Sequence, residues 1–67
     1  MDLRSLRHFV TLAQEGSFVS AAEALHLTQP ALSRSIAALE QEMGVKLIER
    51  HRKGCTPTPA GELLLRD

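Results

Sequence analysis

Only three residues, His26-Leu27-Thr28, separate two stretches of helical periodicity, and that joint constrains the fold more than any other feature. Upstream, Phe18, Ala21, Ala22 and Leu25 share one face of a helix over roughly 18–25. Downstream, Leu32, Ile36, Leu39 and Met43 recur at i, i+4, i+7 and i+11, one apolar stripe on a helix over about 29–43. Thr28 is its N-cap, and Pro30 sits in the first turn, where a missing N–H costs nothing. Gly44 ends it, with Val45 placed to supply the apolar contact of a Schellman-type stop. A short helix, a three-residue turn and a longer helix form the helix-turn-helix arrangement. Ala21 and Ala22 let the two helices approach, and Leu25 and Leu27 plug the corner from either side. The turn needs a residue tolerant of positive φ, a role His26 can fill. Any small helical domain has tight corners. Here cap, small pair and apolar plug coincide, which favours a DNA-binding corner over a generic one.

The flanks fit around this unit. Leu3, Leu6, Phe9, Val10 and Ala13 predict a first helix over 3–15, capped by Asp2 and stopped by Gly16, after which Ser17 caps the second. Beyond Gly44, residues 45–50 read as a short strand, His51 to Gly54 as a polar tip and Cys55-Thr56 as a return strand. Thr58-Pro59 opens a fourth helix, which has about two turns before Asp67. Leu63, Leu64 and Leu65 so near the end suggest a helix cut short and a chain that is a fragment or excised domain. The expected architecture is mainly α: a three-helix core, a β-hairpin and, from residue 58 to 67, the start of a further helix, with 1–57 as the folded domain.

Composition narrows the function. A chain of 67 residues rarely encloses a catalytic pocket, and one cysteine cannot form an internal disulfide. No apolar run approaches the roughly 20 residues of a membrane span, so no membrane partner is expected. Two phenylalanines with no Trp or Tyr argue against stacking platforms for single strands. The formal net charge is zero, yet residues 43–56 set Lys46, Arg50, Arg52 and Lys53 against Glu49 alone, a local surplus of three. A neutral chain can thus present a basic edge to phosphate.

The polar face of the third helix specifies what such an edge serves. Gln29, Ser33 and Ala37 lie opposite the apolar stripe, with Pro30, Arg34 and Ala38 beside them, and acids return only at Glu40 and Glu42. A helix entering the major groove needs this polarity, with its positive dipole end free of acids. Gln29 can pair bidentately with adenine, Ser33 can bond several bases and Ala31 can touch a thymine methyl. Arg34 suits guanine or phosphate. Arg50-His51-Arg52-Lys53-Gly54 alone would be a solvated loop; beside a helix-turn-helix it reads as a wing, over about 45–56, that reaches backbone or minor groove.

The chain resembles the N-terminal DNA-binding domain of the LysR-type transcriptional regulators. The matching residues are Leu6, Phe9, Gly16-Ser17-Phe18, Ala21-Ala22, Leu25 and Thr28-Gln29-Pro30-Ala31-Leu32-Ser33. The match continues through Ile36, Leu39-Glu40, Gly44, Leu47, Arg50 and Thr58-Pro59-Ala60-Gly61. The resemblance implies a winged helix-turn-helix on a linker helix that pairs two subunits, and a bacterial cytoplasmic, nucleoid-associated regulator. It implies DNA contacts at Thr28, Gln29, Pro30, Ser33 and Arg34, and at Lys53 in the wing. Full-length members would be homodimers or tetramers, and this fragment a monomer. A larger effector-binding domain of periplasmic-binding-protein type follows in the family; a small-molecule effector is expected only there, with no cofactor in this chain. The sequence departs at Ser35, where glutamine is frequent, at Ile48 for phenylalanine and at Pro57 for leucine.

Other chemistries lack support. Cys55, His51, His8 and His26 show no CxxC or HxxxH spacing for zinc, and Cys55 reads as a small, partly buried hydrophobe. Ser17, Ser20 and Ser33 have no assignable histidine–carboxylate arrangement, so no enzyme is expected. Glu40 reads as a structural pairing with arginine or backbone. Arg4 and Arg7 read as solvated or as flanking phosphate contacts. A winged helix used only as a protein-interaction module is the competing reading; it gives no reason for Gln29-Pro30 and Ser33-Arg34 at the helix start.

Overall fold

A computed structural model describes residues 2–66; Met1 and Asp67 lie outside the described residues. The element order is α1 (Leu3–Glu15), α2 (Phe18–Leu25), α3 (Gln29–Met43), β1 (Ile48–His51), β2 (Gly54–Pro57) and α4 (Pro59–Leu65). Each helix starts where a short polar side chain takes over an unpaired amide. Asp2, Ser17, Thr28 and Thr58 accept from the N–H groups of Ser5, Ser20, Ala31 and Gly61.

The core is one cluster drawn from every element but α4, whose Ala60, Leu64 and Leu65 pack against it. Phe9 and Leu12 come from α1, Ala21 and Ala22 from α2, Leu32, Ile36 and Leu39 from α3, and Leu47, Ile48 and Cys55 from the hairpin region. The small pair lies where α2 meets its neighbours, and Leu25 and Leu27 are half-buried beside it. His26 adopts φ 58°, ψ 40°, and the Leu27 N–H reaches back to the Ala22 carbonyl at 2.9 Å, so a left-handed residue and its backbone bond make the corner.

Two expectations about α3 need correction. Met43 shares the stripe's face but is 39% exposed, because the last buried residue of α3 is Leu39, a turn earlier. The stop at Gly44 has the Schellman backbone bond, from the Val45 N–H to the Glu40 carbonyl at 3.2 Å, but Val45 itself is exposed and supplies no buried apolar contact.

The hairpin also starts later than the sequence suggests. Val45, Lys46 and Leu47 are not strand; pairing begins with Ile48↔Pro57 and runs through Glu49↔Thr56 and Arg50↔Cys55 to His51↔Gly54. The reason is Glu40, whose Oε2 accepts from the backbone N–H groups of both Leu47 (2.8 Å) and Ile48 (3.2 Å). The Leu47 amide is thus satisfied by a side chain, so no partner strand is needed there, and the Ile48 amide, opposite Pro57, also turns to the carboxylate. At the other end of the hairpin Thr58 closes the chain onto the same segment. Its N–H donates to the Leu47 carbonyl at 3.0 Å and its hydroxyl to the Lys46 carbonyl at 2.6 Å, while the same oxygen accepts from Gly61. Gly61 is required by proximity: a Cβ there would overlap the Leu47 carbonyl oxygen and lie 3.1 Å from Phe9 Cζ. Among the described residues, no helix is long and apolar enough to cross a membrane.

Candidate nucleic-acid interface

Local chemistry places the first residues of α3 at the surface. Thr28 is extended at φ −76°, ψ 157°, and its Oγ1 accepts from the Ala31 N–H at 3.2 Å, which fixes the first turn. Gln29, Pro30 and Arg34 are exposed, whereas Ala31 and Ser33 are half-buried. The side turned inward carries Leu32, Ile36 and Leu39, so the groups opposite them face outward together. No acidic residue stands in the first turn, which leaves the positive end of the helix dipole unopposed by its own chain.

The hairpin carries a second set of cations, not all in one place. Arg52 and Lys53 alone form the turn, and both are exposed. His51 and Arg50 belong to β1 rather than to the tip. The tip is fixed at its root by Gly54, where the Cys55 N–H donates to the Gly16 carbonyl at 3.0 Å. A Cβ on Gly54 would overlap that same Gly16 oxygen, and its φ of 140° is unfavourable for other residues. The turn between α1 and α2 therefore anchors the wing.

Arg50 points elsewhere. Side chains alternate along a strand, so Arg50 shares a face with buried Ile48 and lies opposite buried Cys55. Its guanidinium carbon sits 3.9 Å from the centroid of the Phe18 ring, and its Nη2 donates to Ser33 Oγ at 2.8 Å. Phe18, Gln29, Pro30, Ser33 and Arg50 line an open groove of about 450 Å³ between α2, α3 and β1. Periodicity assigns Phe18 only to the apolar face of α2; the alternation from Ile48 to Arg50 is the one sequence signal that the arginine shares the Ile48 face, where it stays exposed while lying over Phe18.

Two further groups leave the outer face. Ser35 Oγ is hydrogen-bonded to His8 Nδ1 at 2.7 Å, which directs it to α1. Cys55 is buried, and desolvation pushes its thiol above the ordinary range against a weaker opposing pull from Arg50. Such a thiol stays protonated and unreactive at neutral pH.

A helix-turn-helix with a basic hairpin seated beside its second helix is a winged helix-turn-helix. The model of the family described as "Bacterial regulatory helix-turn-helix protein, lysR family" matches residues 3–62. The chain belongs to that family. It is 55% identical over 64 residues to the SDS degradation transcriptional activation protein of a Pseudomonas species, covering 96% of this chain and 21% of the relative. It is 50% identical over 64 residues to the nitrogen assimilation regulatory protein nac of Klebsiella aerogenes, again covering 96% and 21%. The chain thus spans about a fifth of the length of these curated relatives. Among solved structures, the CbnR_DBD–DNA complex superposes with a TM-score of 0.94 at 40% identity, over 100% of this chain and 77% of that one. The BenM_DBD/catB site 1 DNA complex gives 0.93 at 44%, over 98% and 73%.

Proposed function

We propose that this domain binds double-stranded DNA sequence-specifically as the reading head of a bacterial transcription regulator. The observation that carries the reading is the exposed, acid-free start of α3, to which the hairpin is tied by the Arg50–Ser33 bond, with two exposed cations at the hairpin's turn. It is supported by fold matches at 40% and 44% identity to proteins whose structures are DNA complexes. An α-helix fits the major groove, whose width is about 12 Å, and Gln29 is the residue to read a base edge there. Thr28, Pro30, Ala31 and Arg34 surround it, with the helix dipole holding phosphate at the same end. Arg52 and Lys53 track backbone or minor groove. The role requires no catalysis and no cofactor in this domain, and it places the protein in the cytoplasm at the nucleoid.

Selection of binding sites from randomised duplexes, followed by mobility shift, tests the proposal. Gln29→Ala should lose about 1–3 kcal/mol against the preferred sequence while scrambled DNA is bound as before. Equal weakening on both duplexes would make Gln29 a positioning contact and remove it from base reading. The seven residues of α4 bury too little to hold a dimer in dilute solution, so sedimentation should find the 67-residue chain monomeric and its half-site affinity weak. A longer α4 should restore dimers whose recognition helices sit about 34 Å, or a multiple of that, apart. A DNA-free dimer of the 67-residue chain would place the interface elsewhere.

A further inference from the structure

We infer that Arg50 is a specificity-determining positioning residue: held over Phe18, it fixes the Ser33 hydroxyl as a hydrogen-bond donor toward DNA. The inference rests on the DNA-binding reading above and assigns Arg50 a role other than phosphate contact.

The geometry ties one guanidinium to three elements. Arg50 belongs to β1, its plane lies over a ring carried by α2 at 3.9 Å, and its Nη2 bonds Ser33 of α3 at 2.8 Å. Stacking fixes the plane, since guanidinium is flat and weakly hydrated and sits well on an aromatic face. Phe18 is itself packed against the core, so the stack has a firm base.

The consequence falls on Ser33. A hydroxyl has one proton and two lone pairs, and unaided it can pair with donors or acceptors on a base edge. A guanidinium has only donors, so the bond from Arg50 occupies a lone pair and turns the hydroxyl proton away. The adjacent cation also strengthens that proton as a donor and disfavours approach of a second N–H group to the same oxygen. Ser33 is thereby biased toward acceptors, namely guanine O6 and N7, thymine O4 or adenine N7. It is biased against the amino groups of cytosine and adenine. A serine without the arginine would read either kind.

The test begins with the duplex selected by the unaltered chain and a series in which each base pair is changed singly. Discrimination is measured for the unaltered chain, Arg50→Gln, Ser33→Ala and the double variant, with thermal melts to confirm folding. Arg50→Gln should reduce preference at one base pair, or two adjacent ones, by roughly three- to tenfold, the span of one hydrogen bond. In the Ser33→Ala background the same change should alter discrimination no further. Arg50→Lys keeps a charge but has no stacking plane, so it should also fail to restore the preference; it serves as the test if Arg50→Gln melts below assay temperature. A profile unchanged by Arg50→Gln, with affinity falling evenly, would make Arg50 a phosphate contact and overturn the inference. A loss that persists without Ser33 would overturn it equally. An unaltered chain with no preferred sequence would sink the DNA reading first, and this inference with it.

Discussion

The third helix and the hairpin both face the proposed DNA, yet opposite means hold them in place. Fifteen residues of α3 are seated by Leu32, Ile36 and Leu39, side chains that recur with the helical period. The eight strand residues of the hairpin bury only Ile48 and Cys55 and depend on polar bonds to other elements. Glu40 takes the amides at the hairpin's entry, the Gly16 carbonyl takes one just past its turn, and Thr58 closes its exit. Periodic burial is robust to single surface changes because every turn contributes. A set of individual polar anchors has no such redundancy, and each lost anchor leaves a buried group unpaired.

Perturbing each region should separate the two modes. The largest effect belongs to Leu32→Ala, which should cost about 2–5 kcal/mol by removing a fully buried side chain. A domain of 67 residues has about 3–10 kcal/mol in total, so urea denaturation should show a chain near its limit of stability. A loss under about 1 kcal/mol would mean that α3 is not seated by its stripe. Glu40→Ala should cost less, about 1–3 kcal/mol, and the loss should be local. Amide exchange at Leu47 and Ile48 should accelerate more than at Ile36 in the middle of α3, whose protection should follow global stability. Uniform acceleration would show that the hairpin has no independent mode.

The remaining changes are smaller and sharpen the contrast. Lys53→Gln should leave stability within about 0.5 kcal/mol, since the turn is exposed. It should weaken DNA binding across sequences and lower the salt slope by about one. If affinity and slope both stay the same, Arg52 is the next cation to test, and failure of both would remove the wing from the interface. The smallest effect concerns Asp2, where the Ser5 N–H above all holds the carboxylate below the ordinary aspartate range. Its contribution to α1 is therefore complete above the unfolded-state value near about 3.9 and lost as the pH falls through the lower folded value. The Ser5 amide resonance should report that midpoint; a midpoint at the ordinary value would mean that the cap is open in solution.

Legibility in the sequence follows the same divide. Helix limits could be read because Ser17, Thr28-Gln29-Pro30, Gly44 and Thr58-Pro59 carry their chemistry locally, within a turn of the boundary they set. Core positions on α2 and α3 could be read from period, except that period cannot say how far a partner extends, which is why Met43 lies bare. The outward positions of Gln29 and Arg34 followed from the same stripe. What escaped was which groups pair across distance: Glu40 could be read as pairing with arginine or backbone, and it takes backbone, but its partners could not be named. The Glu40 carboxylate meets amides 7 and 8 residues on, Arg50 meets Ser33 across 17, and His8 meets Ser35 across 27. Such bonds leave no repeat in the sequence, because one donor and one acceptor suffice.

Thr58 has a mechanical consequence beyond stability. One hydroxyl both grips the chain before β1 and starts α4, so the helix departs from a joint pinned to the hairpin's entry, and Ala60, Leu64 and Leu65 on the core hold its direction. A helix rises about 1.5 Å per residue, so were α4 to run for twenty residues, a tilt of about 10° at Thr58 would displace its far end by about 5 Å. That exceeds the rise of one DNA base pair, about 3.4 Å. Angular precision at this joint would thus become spacing precision for anything carried on a longer α4.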